Sequence, residues 1–249
     1  ICACLVGSEM CIRDRDITVL SFSDSSMVDR NSSIIKVDSG WIVYSKNSES
    51  SILSFTSDGQ FSGYIGHRGN GPGEYTSVYD VVVNQKSKVL EVLSDGGIFC
   101  YTFGGDFLDK KEVTYPAFSF AIDDRQNYWF YVGNNTTYGD AKMICTDENI
   151  ANVAYYLHQK SNMLPMVENN FGRNGEWLTF HESLNHDLYT IENGKLDLSY
   201  AMDFPNYKLP KKLHELSGME VIEELQRSNY ASIINLSLIH ISEPTRHAQ

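Results

Sequence analysis

A turn signal recurs along this chain at nearly constant spacing, and that repetition restricts the possible folds more than any other feature. Between short apolar runs stand Ser57-Asp58-Gly59-Gln60, Gly104-Gly105-Asp106, Thr146-Asp147-Glu148-Asn149 and Glu192-Asn193-Gly194-Lys195. Asp-Gly, Gly-Gly and Asn-Gly between alternating apolar residues signal hairpins, because such turns need positive φ. The turn centres fall near 59, 105, 148 and 194, which gives intervals of 46, 43 and 46 residues. The hairpin arms are expected at 52–56 with 61–65, 98–103 with 107–108, 142–145 with 150 onward, and 188–191 with 196–198. A second strand pair precedes each hairpin: 33–37 with 40–44, 79–83 with 88–93, and 118–122 with 128–132. In the fourth repeat a less clear first strand precedes 176–180.

Four strands in each of four such repeats are the pattern of β-propeller blades. A β-sandwich also has short strands and frequent turns, but nothing in it repeats a turn at a fixed interval. The expected fold is therefore all-β, with blades at about 33–66, 78–113, 117–158 and 168–204. A blade cannot bury both faces alone, so large side chains must fill the space between blades. Trp41, Trp129, Trp177, Phe55, Phe99 and Tyr189 are assigned that role. After the fourth blade, Leu213, Leu216, Met219, Ile222 and Leu225 recur at helical spacing behind Pro210, which predicts one amphipathic helix at about 210–228. Its apolar stripe is expected to pack on the propeller rim.

Hydrophobic residues make up 42% of the 249, enough for a packed core. The net charge of −12 argues against a nucleic-acid partner, since phosphate binding needs a basic face. No apolar run is long enough for a transmembrane helix. The ends read differently from the middle. Residues 1–15, from Cys4 onward CLVGSEMCIRDR, and residues 236–249, with SLIHISEPTR, resemble translated sequencing-adapter sequence and are left out of the fold reading. That leaves Cys100 and Cys145, each in an apolar strand, where a buried cysteine acts as a small hydrophobe.

Two segments resemble the hallmarks of a large family of bacterial six-bladed β-propellers with NHL-like blades, common in anaerobic gut bacteria. The first is Phe55-Thr56-Ser57-Asp58-Gly59-Gln60-Phe61 followed by Ile65-Gly66-His67-Arg68-Gly69-Asn70-Gly71-Pro72-Gly73-Glu74-Tyr75. The family pattern there is F-D-x-x-G-K-F, then I-G-x-x-G-x-G-P-G-E-Y. The second is Asp187-Leu188-Tyr189-Thr190-Ile191, then Gly194-Lys195-Leu196, Tyr200-Ala201-Met202-Asp203-Phe204 and Leu209-Pro210. Pro205 stands where that family has Gly. The resemblance spans nearly all of 16–235. It implies an exported protein, often a lipoprotein, at the periplasm or cell surface, and a chain that covers about four blades of an intended six.

The Gly-rich loop at 66–75 is the strongest local feature. It lacks the Lys-Ser/Thr of a phosphate loop, and no helix follows it as a dinucleotide site requires. A blade-to-blade connection is the simpler reading, with Arg68 and Glu74 pairing across it. If it forms a binding site, His67, Arg68, Glu74, Tyr75 and Asp80 are the candidates, because they flank the entry to a blade's innermost strand. His181-Glu182-Ser183-Leu184-Asn185-His186 has its second His one residue too far for the helical H-E-x-x-H metal motif. No catalytic constellation is visible, and the cofactor question stays open. Two readings of function follow: a propeller that binds a protein or glycan through its loops, or a metal-dependent hydrolase or lyase with its site in the central channel. The second needs acids such as Asp80, Asp123 and Glu168 to converge.

Overall fold

In the computed structural model, the described residues are 18–22, 32–46, 51–133, 139–158, 169–174, 177–210, 213, 215–216 and 219–227. Among them, the strands form four four-stranded antiparallel sheets, each in simple meander order. Blade 1 contains β1 (Ser32–Val37), β2 (Gly40–Ser45), β3 (Ile52–Thr56) and β4 (Phe61–Ile65). Two short strands, β5 (His67–Arg68) and β6 (Glu74–Tyr75), pair in parallel within the connection to blade 2. Blade 2 contains β7 (Asp80–Asn84), β8 (Val89–Ser94), β9 (Gly97–Tyr101) and β10 (Phe107–Lys111). Blade 3 contains β11 (Ser119–Ile122), β12 (Tyr128–Tyr131), β13 (Ala141–Thr146) and β14 (Ala154–His158). Blade 4 contains β15 (Phe171–Asn174), β16 (Trp177–Phe180), β17 (Asp187–Glu192) and β18 (Lys195–Ala201). The first strands β7, β11 and β15 are spatial neighbours, as the innermost strands of successive propeller blades must be.

Apolar side chains from facing blades fill the spaces between them. Ile42, Tyr44, Ile52 and Ile65 of blade 1 meet Val81, Leu90, Val92, Phe99 and Tyr101 of blade 2. Leu93, Ile98 and Cys100 meet Phe120, Tyr128, Phe130 and Ile144 of blade 3. Trp129, Tyr131, Met143 and Cys145 meet Leu178, Phe180 and Ile191 of blade 4. Trp129, Phe55 and Phe99 are buried as expected. Trp41 and Tyr189 are half-buried beside their clusters. Trp177 corrects the expectation. It is 66% exposed, because alternation along β16 turns Leu178 and Phe180, not Trp177, toward blade 3.

Three of the recurring turns, near 59, 105 and 148, share one geometry with the β11–β12 turn at Asp123, whereas the turn at Asn193-Gly194 has positive φ at both residues. In the turns starting at Thr56, Thr102, Asp123 and Asp147, the first residue's N–H donates to the carbonyl four residues on, at 2.9–3.0 Å. Its side-chain oxygen accepts the N–H of that same residue at 2.8–3.1 Å. The fourth position has positive φ: Gly59 +86°, Gly105 +100°, Gln126 +68° and Ile150 +57°. This turn explains why the last strand of blade 3 starts at Ala154 and not at Ile150. Ile150 and Asn152 are both left-handed, which an extended strand excludes. It also yields a prediction. Left-handed backbone is unfavourable for Gln126, so Gln126→Gly should stabilise the protein by about 0.5–1 kcal/mol. Chemical denaturation measures this, and a loss of stability would contradict the turn geometry.

The helix is shorter than the periodicity predicted. Leu213 N–H bonds to Pro210 O and Leu216 N–H to Leu213 O, which are the three-residue bonds of 3₁₀ turns. The α-helix, α1, spans Met219–Arg227. It starts afresh at Met219, which resets the phase of its apolar stripe: Val221 is buried, whereas Met219 and Ile222 are exposed. Leu209, Leu213, Leu216, Val221 and Leu225 cluster with Leu184 of blade 4, so this stripe does pack on the propeller. No helix among the described residues is long and apolar enough to cross a membrane.

Candidate binding face

A four-stranded meander places the starts of its first and third strands at one end and its tight first and last turns at the other. The two ends of this propeller differ. At one end the connections are short, the longest running over 147–153. At the other end, where β1, β7, β11 and β15 begin, the connection from blade 1 to blade 2 runs over residues 66–79 and others reach comparable length. The five candidate residues lie at or beside this second end.

The structure divides them. His67 and Arg68 are exposed and Glu74 is half-buried. Tyr75 and Asp80 are buried and held by the fold. Arg68 and Glu74 each bond to the backbone of this connection. Arg68 Nε donates to Thr76 O at 2.8 Å, and Glu74 Oε2 accepts the Gly71 N–H at 2.8 Å. The Tyr75 hydroxyl donates to Ile65 O at 3.3 Å and accepts Ile52 N–H at 3.4 Å. Burial raises its pKa. Gly66, with φ +62°, leaves no room for a side chain, since a Cβ would lie 2.7 Å from the Tyr101 ring. The Tyr101 hydroxyl in turn donates to Gly73 O at 3.0 Å. The Gly-rich segment is thus a packed connector.

Asp80 ties three blades together. Its carboxylate lies 2.9 Å from Lys46 Nζ after blade 1, and both side chains are under 10% exposed. It accepts the backbone N–H of Phe120 in blade 3 at 3.1 Å. It also faces the Tyr44 hydroxyl, whose pKa rises through burial and then through this charge. At the next inner-strand start, Ser119 Oγ donates to Asn170 Oδ1 at 2.8 Å, and Asn170 Nδ2 donates to His181 O at 3.2 Å.

Two further interfaces carry a similar trio. Glu182 accepts from Lys142 Nζ at 2.9 Å and the Tyr131 hydroxyl at 3.0 Å across blades 3 and 4. Glu91 accepts from the Tyr128 hydroxyl of blade 3 at 2.8 Å and lies 3.6 Å from Lys111 Nζ. Sequence reasoning missed these partners. The available signal was a charge inside an apolar strand, as with Glu91 in Val89-Leu90-Glu91-Val92-Leu93 and Lys142 in Ala141-Lys142-Met143-Ile144.

Exposed groups on the same face also pair. Asp95 Oδ2 accepts from Thr76 and Ser77 at 2.7 and 2.8 Å, and Oδ1 accepts from the Tyr79 hydroxyl at 2.5 Å. These bonds, led by Tyr79, lower the Asp95 pKa. His158 Nδ1 lies 2.9 Å from Asp140 Oδ1, and that hydrogen bond raises the imidazole pKa above its ordinary 6.5. NMR titration should find His158 titrating above 6.5, with the shift removed in Asp140→Asn. The pair's contribution to folding is then complete below 6.5 and lost as pH rises through the raised value. An unshifted His158 would show that the pair does not persist in solution.

Asp80 and Asp123 do not converge. Asp80 opens β7, whereas Asp123 follows the far end of β11, where it accepts from Trp129 Nε1 at 3.0 Å. Glu168 lies outside the described residues. Among the described residues, no three His, Cys, Asp or Glu side chains gather to hold a metal ion. Burial pushes both the Cys100 and Cys145 thiols up to about 12, so they are poor nucleophiles.

Four meandering blades around adjacent inner strands define a β-propeller. Residues 16–240 match the family model described as "Domain of unknown function (DUF4934)", and the chain belongs to that family. No curated protein matches it in sequence. Among solved structures it is similar to a presumed exported protein of Bacteroides fragilis, at 15% identity over 86% of this chain and 63% of that one, with a TM-score of 0.73. A DUF4221 family member from Bacteroides vulgatus is similar at 10% identity, over 76% of this chain and 62% of that one, with a TM-score of 0.51. The chain therefore spans less than two thirds of the structures it matches.

Proposed function

We propose that these blades belong to an exported, six-bladed propeller with NHL-like blades that binds a protein or glycan through the face bearing its long connections. One observation carries this reading. One end of the propeller has short turns, whereas the other carries longer connections, the longest over 66–79, and recognition residues concentrate on such loops over a rigid scaffold. His67 and Arg68 are the exposed members of the candidate set at that end, with Glu74 half-buried beside them, and a ligand there would meet these side chains first. Export agrees with the description of the similar Bacteroides fragilis protein, and the full-length protein is proposed to sit in the periplasm or at the cell surface, held by a lipid anchor. Residues 1–15 and 236–249 are read as translated adapter sequence with no part in this function, although the family match extends to residue 240. Genomic codons continuing through them would reject that point. A metal-dependent hydrolase or lyase in the central channel has no specific observation in its favour.

The test is a glycan array and an envelope-protein capture screen, repeated with His67→Ala and with Asp58→Ala in a tight turn at the opposite end. The expected result is a tenfold or greater loss of binding for His67→Ala and none for Asp58→Ala. The reverse pattern would reject the assignment of the face.

A further inference from the structure

The connection between blades 1 and 2 folds back on itself. β5 and β6 pair within it, with Arg68 opposite Tyr75, and the Gly69 N–H donates to Tyr75 O at 3.0 Å. These bonds fix the backbone around Arg68. The side chain has a tether of its own, because Arg68 Nε donates to Thr76 O at 2.8 Å. An exposed arginine has many rotamers, and one well-formed bond near its end removes most of them. The direction of the guanidinium therefore depends on where Thr76 stands.

Thr76 is held by a residue outside the connection. Asp95 lies in the turn between β8 and β9 of blade 2. Its Oδ2 accepts from Thr76 Oγ1 at 2.7 Å and from Ser77 Oγ at 2.8 Å, and its Oδ1 accepts from the Tyr79 hydroxyl at 2.5 Å. One carboxylate thus grips both sides of Val78, whose side chain is buried between blades 1 and 2. Asp95 also differs from Asp80, Glu91 and Glu182. Those acids are buried and need protein donors, whereas Asp95 is exposed, where water would supply them. Three charge-assisted bonds on an exposed carboxylate order a segment; they do not rescue a buried charge. The segment they order is the one that Arg68 bonds.

We propose that Asp95 is a positioning residue for ligand binding: through Thr76 it aims the Arg68 guanidinium, and it acts through Arg68 and not by touching the ligand. This rests on the reading of the long-connection face as a binding face. Asp95 is absent from the candidate set because its role is invisible in the chain. It stands 19 residues beyond Thr76, and only the packing of the connection on blade 2 brings the two together.

The first test needs no ligand and follows the Arg68 Nε–H by NMR. Asp95→Ala should speed its exchange with water about fivefold or more, while the Gly69 amide in the β5–β6 ladder keeps its rate. Asp95→Asn retains one acceptor oxygen and should recover part of the protection. The bonds from Tyr79, Thr76 and Ser77 lower the Asp95 pKa below its ordinary 3.8. The anchor is therefore complete above 3.8 and lost as pH falls through the lowered value, and the Arg68 Nε–H shift should follow that titration. An Arg68 signal unchanged in Asp95→Ala and indifferent to this titration would overturn the proposal. The second test repeats the glycan array and capture screen with Arg68→Ala, Asp95→Ala and the double variant. Each single change should weaken binding about fivefold or more, and the double variant should bind no worse than Arg68→Ala alone. Additive losses would mean that Asp95 acts by its own route, which also overturns the proposal. A wild-type protein that binds nothing in either screen rejects the binding face, whereas the Arg68 signal by itself decides whether Asp95 aims that side chain.

Discussion

Truncating Trp129 to alanine should cost about 3–5 kcal/mol of stability, whereas the same change at Trp177 should stay within about 0.5 kcal/mol. The two residues occupy comparable second strands of neighbouring blades, β12 and β16. Trp129 is fully buried between blades 3 and 4, against Tyr156 at 5.1 Å between ring centroids. Its indole N–H also donates to Asp123 Oδ2 at 3.0 Å. Removing it leaves a cavity that two rigid sheets cannot close, and deprives Asp123 of a donor. Trp177 lies on the far face of blade 4 and is mostly in water. Urea denaturation of both variants measures the contrast. Equal costs would mean that the interface between blades 3 and 4 is not packed as described.

Replacing Asp80 by alanine should be comparably severe, at about 3–5 kcal/mol, because it breaks a buried ion pair from one side. Lys46 would lose its carboxylate 2.9 Å away, and the Phe120 N–H would lose its acceptor. Asp80→Asn keeps an acceptor for Phe120 but removes the charge, so it should cost less than alanine and still destabilise. Adding Lys46→Met to Asp80→Asn should recover part of that loss, because the buried ammonium that faced the carboxylate is gone. Chemical denaturation of the single and double variants forms a thermodynamic cycle. Strict additivity would show that the two side chains do not interact. A ligand-binding role for Asp80 would instead leave stability nearly unchanged and alter binding alone.

Much of the blade structure is legible in the chain because its signals are local. Asp58-Gly59, Gly104-Gly105 and Asn193-Gly194 lie between runs whose alternation fits a pleated strand, and each needs only its own neighbours to form a hairpin. The strands of blades 1 and 2 accordingly stand within two or three residues of where the pattern places them, β10 extending further. The departures occur where the deciding contact is not local. Ile150 reads as the start of a strand by composition, but the Asp147 side chain holds its turn through Ala151. The helix phase read from Leu213 fails because 3₁₀ bonds separate that residue from α1.

The candidate site divides along the same line. The sequence determines that 66–75 is a glycine-rich connector ahead of an innermost strand, and so that His67, Arg68, Glu74, Tyr75 and Asp80 lie close to one another. Tertiary structure alone decides which of them face water. Tyr75 is consumed by Ile52 and Ile65, and Asp80 by Lys46 and Phe120. Lys142 and Glu182, forty residues apart, pair for the same reason as Asp80 and Phe120. Their blades stack face to face, and a charge on one buried face must find its partner on the next. Periodicity in the chain specifies blades, whereas the stacking of one blade on another settles which side chains are spent on the fold and which remain for a partner.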